Sequence, residues 1–185
     1  NMVALDLTYR FSESEDVRTT NWLSSSIANT WHGDQGDWDV FTTLKFDWSE
    51  FQSWDQRLIA DGGFEFQLWS NGKIDSASTL NGRIGLGARQ EFDSINEDLI
   101  PEGLLGLKYQ WEISDSQSLT ADSTWFPDLN DSDNYRVVTN AKWNMQLESI
   151  ENIRLSIGLL HEYDSIVSSD VKKDFLHITA GIEYA

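Results

Sequence analysis

Apolar and polar residues alternate along this chain almost from end to end. Val3, Leu5, Leu7, Tyr9 and Phe11 interleave with Ala4, Asp6, Thr8 and Arg10, the signature of a strand with one apolar face. The pattern returns at Trp38, Val40, Thr42, Leu44, Phe46 and Trp48, and again at Leu58, Ala60, Gly62, Phe64, Phe66 and Leu68. Further series run from Leu80 to Ala88, Leu105 to Ile113, Leu119 to Trp125, Val137 to Leu147, Ile153 to Leu159 and Leu176 to Tyr184. Between Asn21 and Trp31 a run of serines leaves neither face clearly apolar. The pattern predicts an all-β chain of about ten strands without a helix, in a single domain over residues 1–185.

The face opposite the apolar one carries charges of both signs, among them Asp6, Arg10, Lys45, Asp47, Arg57, Lys108, Lys142 and Glu183. Such a two-faced sheet has two physical solutions. A soluble sandwich or lipocalin-like barrel turns its apolar face inward, whereas an outer-membrane barrel turns it to lipid and pairs its charges in the lumen.

Three features favour the membrane barrel. Aromatic residues gather near strand ends: Trp38 and Trp48 bracket one strand, and Tyr9, Phe11, Trp31, Trp111, Trp125, Tyr163 and Tyr184 mark other edges. Interfacial girdles require that placement. With Trp143, the candidate girdle is Tyr9, Trp38, Trp48, Trp111, Trp125, Trp143 and Tyr184. Connections also alternate in length. His32 to Asp37, Ser114 to Gln117 and Glu148 to Glu151 are short, whereas Ser12 to Thr19, Asp93 to Gly103, Pro127 to Asn134 and Asp164 to Asp174 are longer. With the last strand ending at the periplasmic rim, the long loops fall outside, as in outer-membrane barrels. Finally, Gly82, Gly85, Gly87, Gly106, Gly158 and Gly181 fall within strands, where glycine relieves crowding as a sheet curves. An antiparallel up-and-down (meander) transmembrane β-barrel follows as the expected architecture.

Composition narrows the choice further. The chain has 185 residues, no cysteine, two prolines and nine tryptophans, with 13 basic and 31 acidic side chains and a net charge of −18. The missing cysteine excludes disulfide scaffolds, thiol catalysis and cysteine-ligated metals. Excess negative charge repels phosphate backbones, so nucleic acid is set aside as a partner. Apolar runs such as Ser156 to Leu160 fall far short of the roughly 20 residues of a membrane helix.

The stretch Leu105-Gly106-Leu107-Lys108-Tyr109-Gln110-Trp111-Glu112-Ile113-Ser114-Asp115-Ser116-Gln117-Ser118-Leu119-Thr120 resembles the Gly-Leu-x-Tyr-x-Trp strand, Ile-Ser-Asp turn and Ser-Leu-Thr strand start of the salt-induced outer-membrane protein family, domain-of-unknown-function family 481. Leu129 to Arg136 is similar to that family's acidic loop before a Tyr-Arg strand, and His161 to Ser165 to its Arg-Tyr-Asp-Ser strand end. Asp47 to Arg57 and Gly85 to Arg89 fit more loosely, and the likeness runs from Arg18 to the end. It implies a bacterial outer-membrane location, outer-membrane lipid or lipopolysaccharide as surroundings, and no activity, cofactor or catalytic residue. It also implies about two further strands ahead of Val3, twelve in all, and a Tyr-x-Phe tail where this sequence has Tyr184-Ala185.

Candidate chemistry is sparse. His32, His161 and His177 are too scattered for a three-histidine metal site. The loop from Pro127 to Asn134 has alternating oxygen ligands but lacks the glycine and distal glutamate of a calcium loop, so it reads as an acidic surface loop. No Gly-x-Ser-x-Gly elbow occurs, and the glycines from Gly82 to Gly87 sit inside a strand rather than opening a helix. The candidate site is therefore a structural charge cluster in the lumen: Arg57, Arg83, Arg89, Arg136 and Arg154 with Asp61, Glu65, Glu91 and Asp122. The function expected is an integral outer-membrane barrel, non-enzymatic and without cofactors, with a structural, envelope-adaptation or narrow-pore role. Two alternatives stay open: a soluble barrel or clam that binds a hydrophobic ligand, and an accessory subunit of an envelope protein assembly.

Overall fold

A computed structural model of the chain describes residues 1–14, 17–33, 38–52, 54–73, 76–94, 97–147, 153–167 and 172–184. Ten strands follow one another: β1 (Met2–Ser14), β2 (Val17–His32), β3 (Trp38–Ser49), β4 (Gln56–Lys73), β5 (Ser76–Phe92), β6 (Ile100–Ser114), β7 (Gln117–Pro127), β8 (Tyr135–Gln146), β9 (Ile153–Asp164) and β10 (Asp174–Tyr184). They form a single sheet in sequence order, each strand antiparallel to the next. Among the described residues there is no helix, and none long and apolar enough to cross a membrane. That leaves membrane crossing by strands an open route.

The sheet curls until its far parts touch. β4 and β9 stand five places apart in strand order, which in a flat sheet would separate them by ~24 Å. Yet Arg57 on β4 forms an ion pair with Glu162 on β9. The curl puts the charged face inside and the apolar face outside, opposite to a soluble barrel with an apolar core.

Glycine lets β4 and β5 approach closely at one point. Gly63 on β4 lies opposite Gly85 on β5. A Cβ on Gly63 would run into the backbone carbonyl of Ile84, and one on Gly85 into that of Gly62. Bulges between Ser12 and Glu13, Gln67 and Trp69, and Glu112 and Ser114 add local twist.

Closure differs from a sealed barrel. Among the described residues no ladder joins β1 to β10, so the form is a curled half-barrel with two sheet edges. The connections also depart from the lengths read in the sequence. β1 and β2 stay paired as far as Ser14 and Val17, so the segment 12–19 is a hairpin end and not a long loop. Ile100, Pro101, Glu102 and Gly103 belong to β6 and pair with Arg89 through Leu86, which shortens the segment 93–103. Pro101 and Gly103 read as loop residues in the sequence, but the ladder absorbs both. Ser114 and Gln117 pair directly across a short turn. The connection at 148–151, and parts of those at 32–37 and 164–174, lie outside the described residues.

Two rims result. One, here the long-loop rim, carries the connections after β3, β5, β7 and β9; the other, the short-turn rim, carries those after β2, β4, β6 and β8. Long-loop backbone folds back on the sheet: Leu129 N donates to Pro101 O at 2.8 Å and Ser165 N to Tyr135 O at 3.0 Å.

Candidate functional site

Alternation along β4, β5, β6, β8 and β9 sends every second side chain into the lumen, and near the long-loop rim those side chains are charged. Arg57, Arg89 and Arg136 are each 3% exposed, Glu102 2% and Asp47 0%. Burying ions costs several kcal/mol each unless geometry supplies partners; here each ion meets an opposite charge, while Asp47 Oδ1, Arg89 Nε and Arg136 Nε lack a hydrogen-bond partner. Arg57 donates through Nη2 to Asp47 Oδ2 at 3.1 Å and to Glu162 Oε2 at 3.2 Å. Lys45 Nζ adds a contact to Asp47 Oδ2 at 2.9 Å.

A second knot adjoins the first. Arg89 Nη1 donates to Glu91 Oε1 and to Asp164 Oδ2, each at 2.7 Å, and its Nε lies 3.1 Å from Glu102 Oε1. The other oxygen of Glu102 accepts from Arg136 Nη2 at 3.0 Å. Glu102 thereby links two arginines, and the knots tie β3, β4, β5, β6, β8 and β9 together across the lumen. Aromatic faces complete the guanidinium shells: Trp54 lies 4.4 Å from Arg57, and Phe126 4.2 Å from Arg136.

Further down, Arg83 lies 3.4 Å from Glu65 and packs on Phe41 at 3.9 Å. Glu65 also accepts from Asn81 at 2.7 Å and faces Lys108 at 3.6 Å. Asp122 accepts from Asn140 at 3.0 Å rather than from an arginine, and Asp61 is bonded to the hydroxyl of Thr43. Arg154, grouped with the cluster from sequence, stands toward the short-turn rim, opposite Glu183 in the ladder with β10, whose side chain lies outside the described residues. The sequence grouping omitted Asp47, Glu102, Glu162 and Asp164 and the aromatic faces of Trp54, Phe126 and Phe41. An aromatic on the polar face breaks the alternation, as Phe41 does between Val40 and Thr42, and that break is the signal available.

Below the brace the lumen opens into a cavity of about 620 Å³ to which all ten strands contribute, both edge strands included. Arg10 from β1 and His177 and Thr179 from β10 face into it. Trp22 from β2, the strand without a clearly apolar face, points inward and lies 4.8 Å from the Arg10 guanidinium.

The outer face carries the aromatic residues. Tyr9, Trp38 and Trp125 are exposed, and Trp38 meets Phe64 edge-on at 6.1 Å. Trp48, Trp111 and Trp143 are half-buried there, and Trp111 Nε1 donates to Ser76 Oγ at 2.9 Å. Tyr135 and Tyr163 stack at 5.5 Å near the long-loop rim. The side chain of Tyr184 lies outside the described residues.

Histidines and the acidic loop find local partners. His32 is 3.0 Å from Asp39, and His161 3.0 Å from Asp174. In the loop after β7, Asp128 Oδ1 accepts from the amides of Asn130 and Asp131, and Asp131 accepts from Asp133 N and Asn134 Nδ2. These are Asx-type turns, which use the oxygens that a cation would need. Among the described residues no three metal-capable side chains come together.

Fold and lumen define a class: an all-β, up-and-down curled sheet, ionic inside and apolar outside. The chain belongs to DUF481, a family of proteins of unknown function, whose model matches residues 1–185. No curated protein and no solved structure matches it.

Proposed function

We propose that this chain is an integral protein of the bacterial outer membrane, a non-enzymatic β-barrel wall with a narrow, charge-braced lumen and a structural or envelope-adaptation role. The observation that carries the reading is the outward belt. Leu5, Leu7, Leu86, Ile178 and Ile182 are 65–78% exposed, and similar residues continue around the sheet. Water disfavours an apolar patch larger than a few hundred Å², whereas lipid accommodates a continuous one. Belt height supports the same reading. The eleven residues from Trp38 to Trp48 span ~34 Å of strand, or ~24 Å of height at the roughly 45° tilt of spanning strands. Lipid and lipopolysaccharide are then the neighbours, with the long-loop rim outward and the short-turn rim toward the periplasm.

The inverted faces weigh against a soluble hydrophobic-ligand carrier, because the lumen such a carrier would use is ionic. A second reading, an accessory subunit of an envelope assembly, draws on the unpaired edges of β1 and β10, since exposed edges template pairing.

Membrane fractionation with gel mobility before and after boiling tests the proposal. The expected result is a band confined to the outer-membrane fraction that shifts on heating. A soluble, heat-insensitive protein would overturn it.

A further inference from the structure

We infer that the lumen cavity, closed near the long-loop rim by the ionic brace and bordered by both edge strands, binds a small oxyanion with Arg10 as its principal contact. Closure follows from the ionic brace, whose members are almost wholly buried. At the other end the lumen-facing Gln110, Glu112 and Lys142 are exposed. A volume of about 620 Å³ suits a small molecule, such sites ranging over roughly 300–1,000 Å³.

Charge selects the class of ligand. Five of the 13 basic residues, Arg10, Lys45, Arg83, Arg136 and Lys142, line the cavity, against four of the 31 acidic ones, Asp6, Asp61, Asp122 and Glu162. Basic residues are thus enriched in the lining, and they differ in whether they keep a free guanidinium or ammonium face. Lys45, Arg83 and Arg136 are held by Asp47, Glu65 and Glu102. Arg10 has no ion pair among the described residues, and its Nη1 is shut off from solvent with no hydrogen-bond partner there. The nearby Asp6 attracts Arg10 through space but makes its side-chain hydrogen bond with Thr8 Oγ1 at 3.1 Å.

An unsatisfied buried donor is costly, and a guanidinium is suited to two parallel bonds to a carboxylate or phosphate. The Trp22 ring lies 4.8 Å from the guanidinium and packs against it. Thr179 lines the same cavity from the opposite edge and places a second polar group there. Carboxylate and phosphate share the chemistry that this fork recognises, so the test uses one of each.

The full chain, folded in detergent at low ionic strength, is titrated calorimetrically with sodium succinate and separately with inorganic phosphate. Saturable binding of at least one is expected. Arg10→Gln should weaken it at least tenfold while keeping the heat-dependent gel shift, and Arg10→Lys should keep part of it. Binding of succinate alone assigns an organic carboxylate, and of phosphate alone a phosphate. Absence of saturable binding by either, or equal binding by Arg10→Gln, overturns the inference. Should Arg10→Gln fail to fold, phenylglyoxal labelling of the unaltered protein decides. Ligand must slow modification of Arg10, and unchanged labelling counts against the site. Titration reads the cavity and fractionation the surroundings of the outer face, so each reading can fail alone.

Discussion

At the long-loop rim, Arg57, Arg89 and Arg136 meet carboxylates from other strands in a region closed to solvent. At the short-turn rim, the inward positions of the same sheet hold Gln110, Glu112 and Lys142, exposed to solvent. Strand, register and curl are shared, so the difference lies in the side chains alone. In the first region each charge has lost its water and depends on its partner; in the second, the side chains keep contact with solvent. Stability should therefore be concentrated near one rim and access near the other.

The largest effect should come from Arg89. Arg89→Met leaves Glu91, Glu102 and Asp164 without their shared cation, and breaking a buried ionic network in this way costs about 3–5 kcal/mol. The urea midpoint of the heat-dependent gel shift reads it. A loss below about 1 kcal/mol, the value typical of exposed pairs, would mean that the brace is wet and the two rims alike.

A smaller effect tests whether the brace acts across the lumen or only between neighbouring strands. Arg57 and Glu162 are 105 positions apart in sequence, so their link is made by the curl. A double-mutant cycle with Arg57→Gln and Glu162→Gln should give a coupling of about 1–3 kcal/mol. Additive effects would place β4 and β9 too far apart to touch.

Much of the wall was legible in the sequence, and the reasons are local. A period of two needs only neighbours along one strand, so β3, with Trp38 through Trp48 on one side, declared its outward face unaided. β2 did not, because its inward Trp22 and Ser24 blur the contrast between the two sides. The interior was legible by type and not by partner. Arg57, Arg83, Arg89 and Arg136 were identifiable as inward cations, but which carboxylate each meets depends on strand stagger and curl, which no single strand encodes. Glu102 was hidden for another reason: flanked by Pro101 and Gly103, it reads as a loop residue until pairing with β5 draws it into β6. Arg154 shares the face of the other arginines but lies toward the opposite rim, across the ladder from Glu183, so its strand alone did not tell which end of the lumen it serves.

Arg154 also supplies the smallest effect and the sharpest control. Arg154→Gln removes a charge of the same type, from the same face, as Arg89→Met, but at the other end of the lumen. Its cost should stay within about 0.5 kcal/mol, as for surface substitutions away from buried features. Salt separates the two further. Pairs open to solvent are screened at a Debye length of about 3 Å in 1 M salt, whereas buried pairs are screened much less. The urea midpoint of Arg154→Gln should therefore track that of the unaltered protein at low and high salt, while the deficit of Arg89→Met persists at both. If Arg154→Gln proved as damaging as Arg89→Met, the short-turn rim would hold a brace of its own, and the lumen would be closed at both ends.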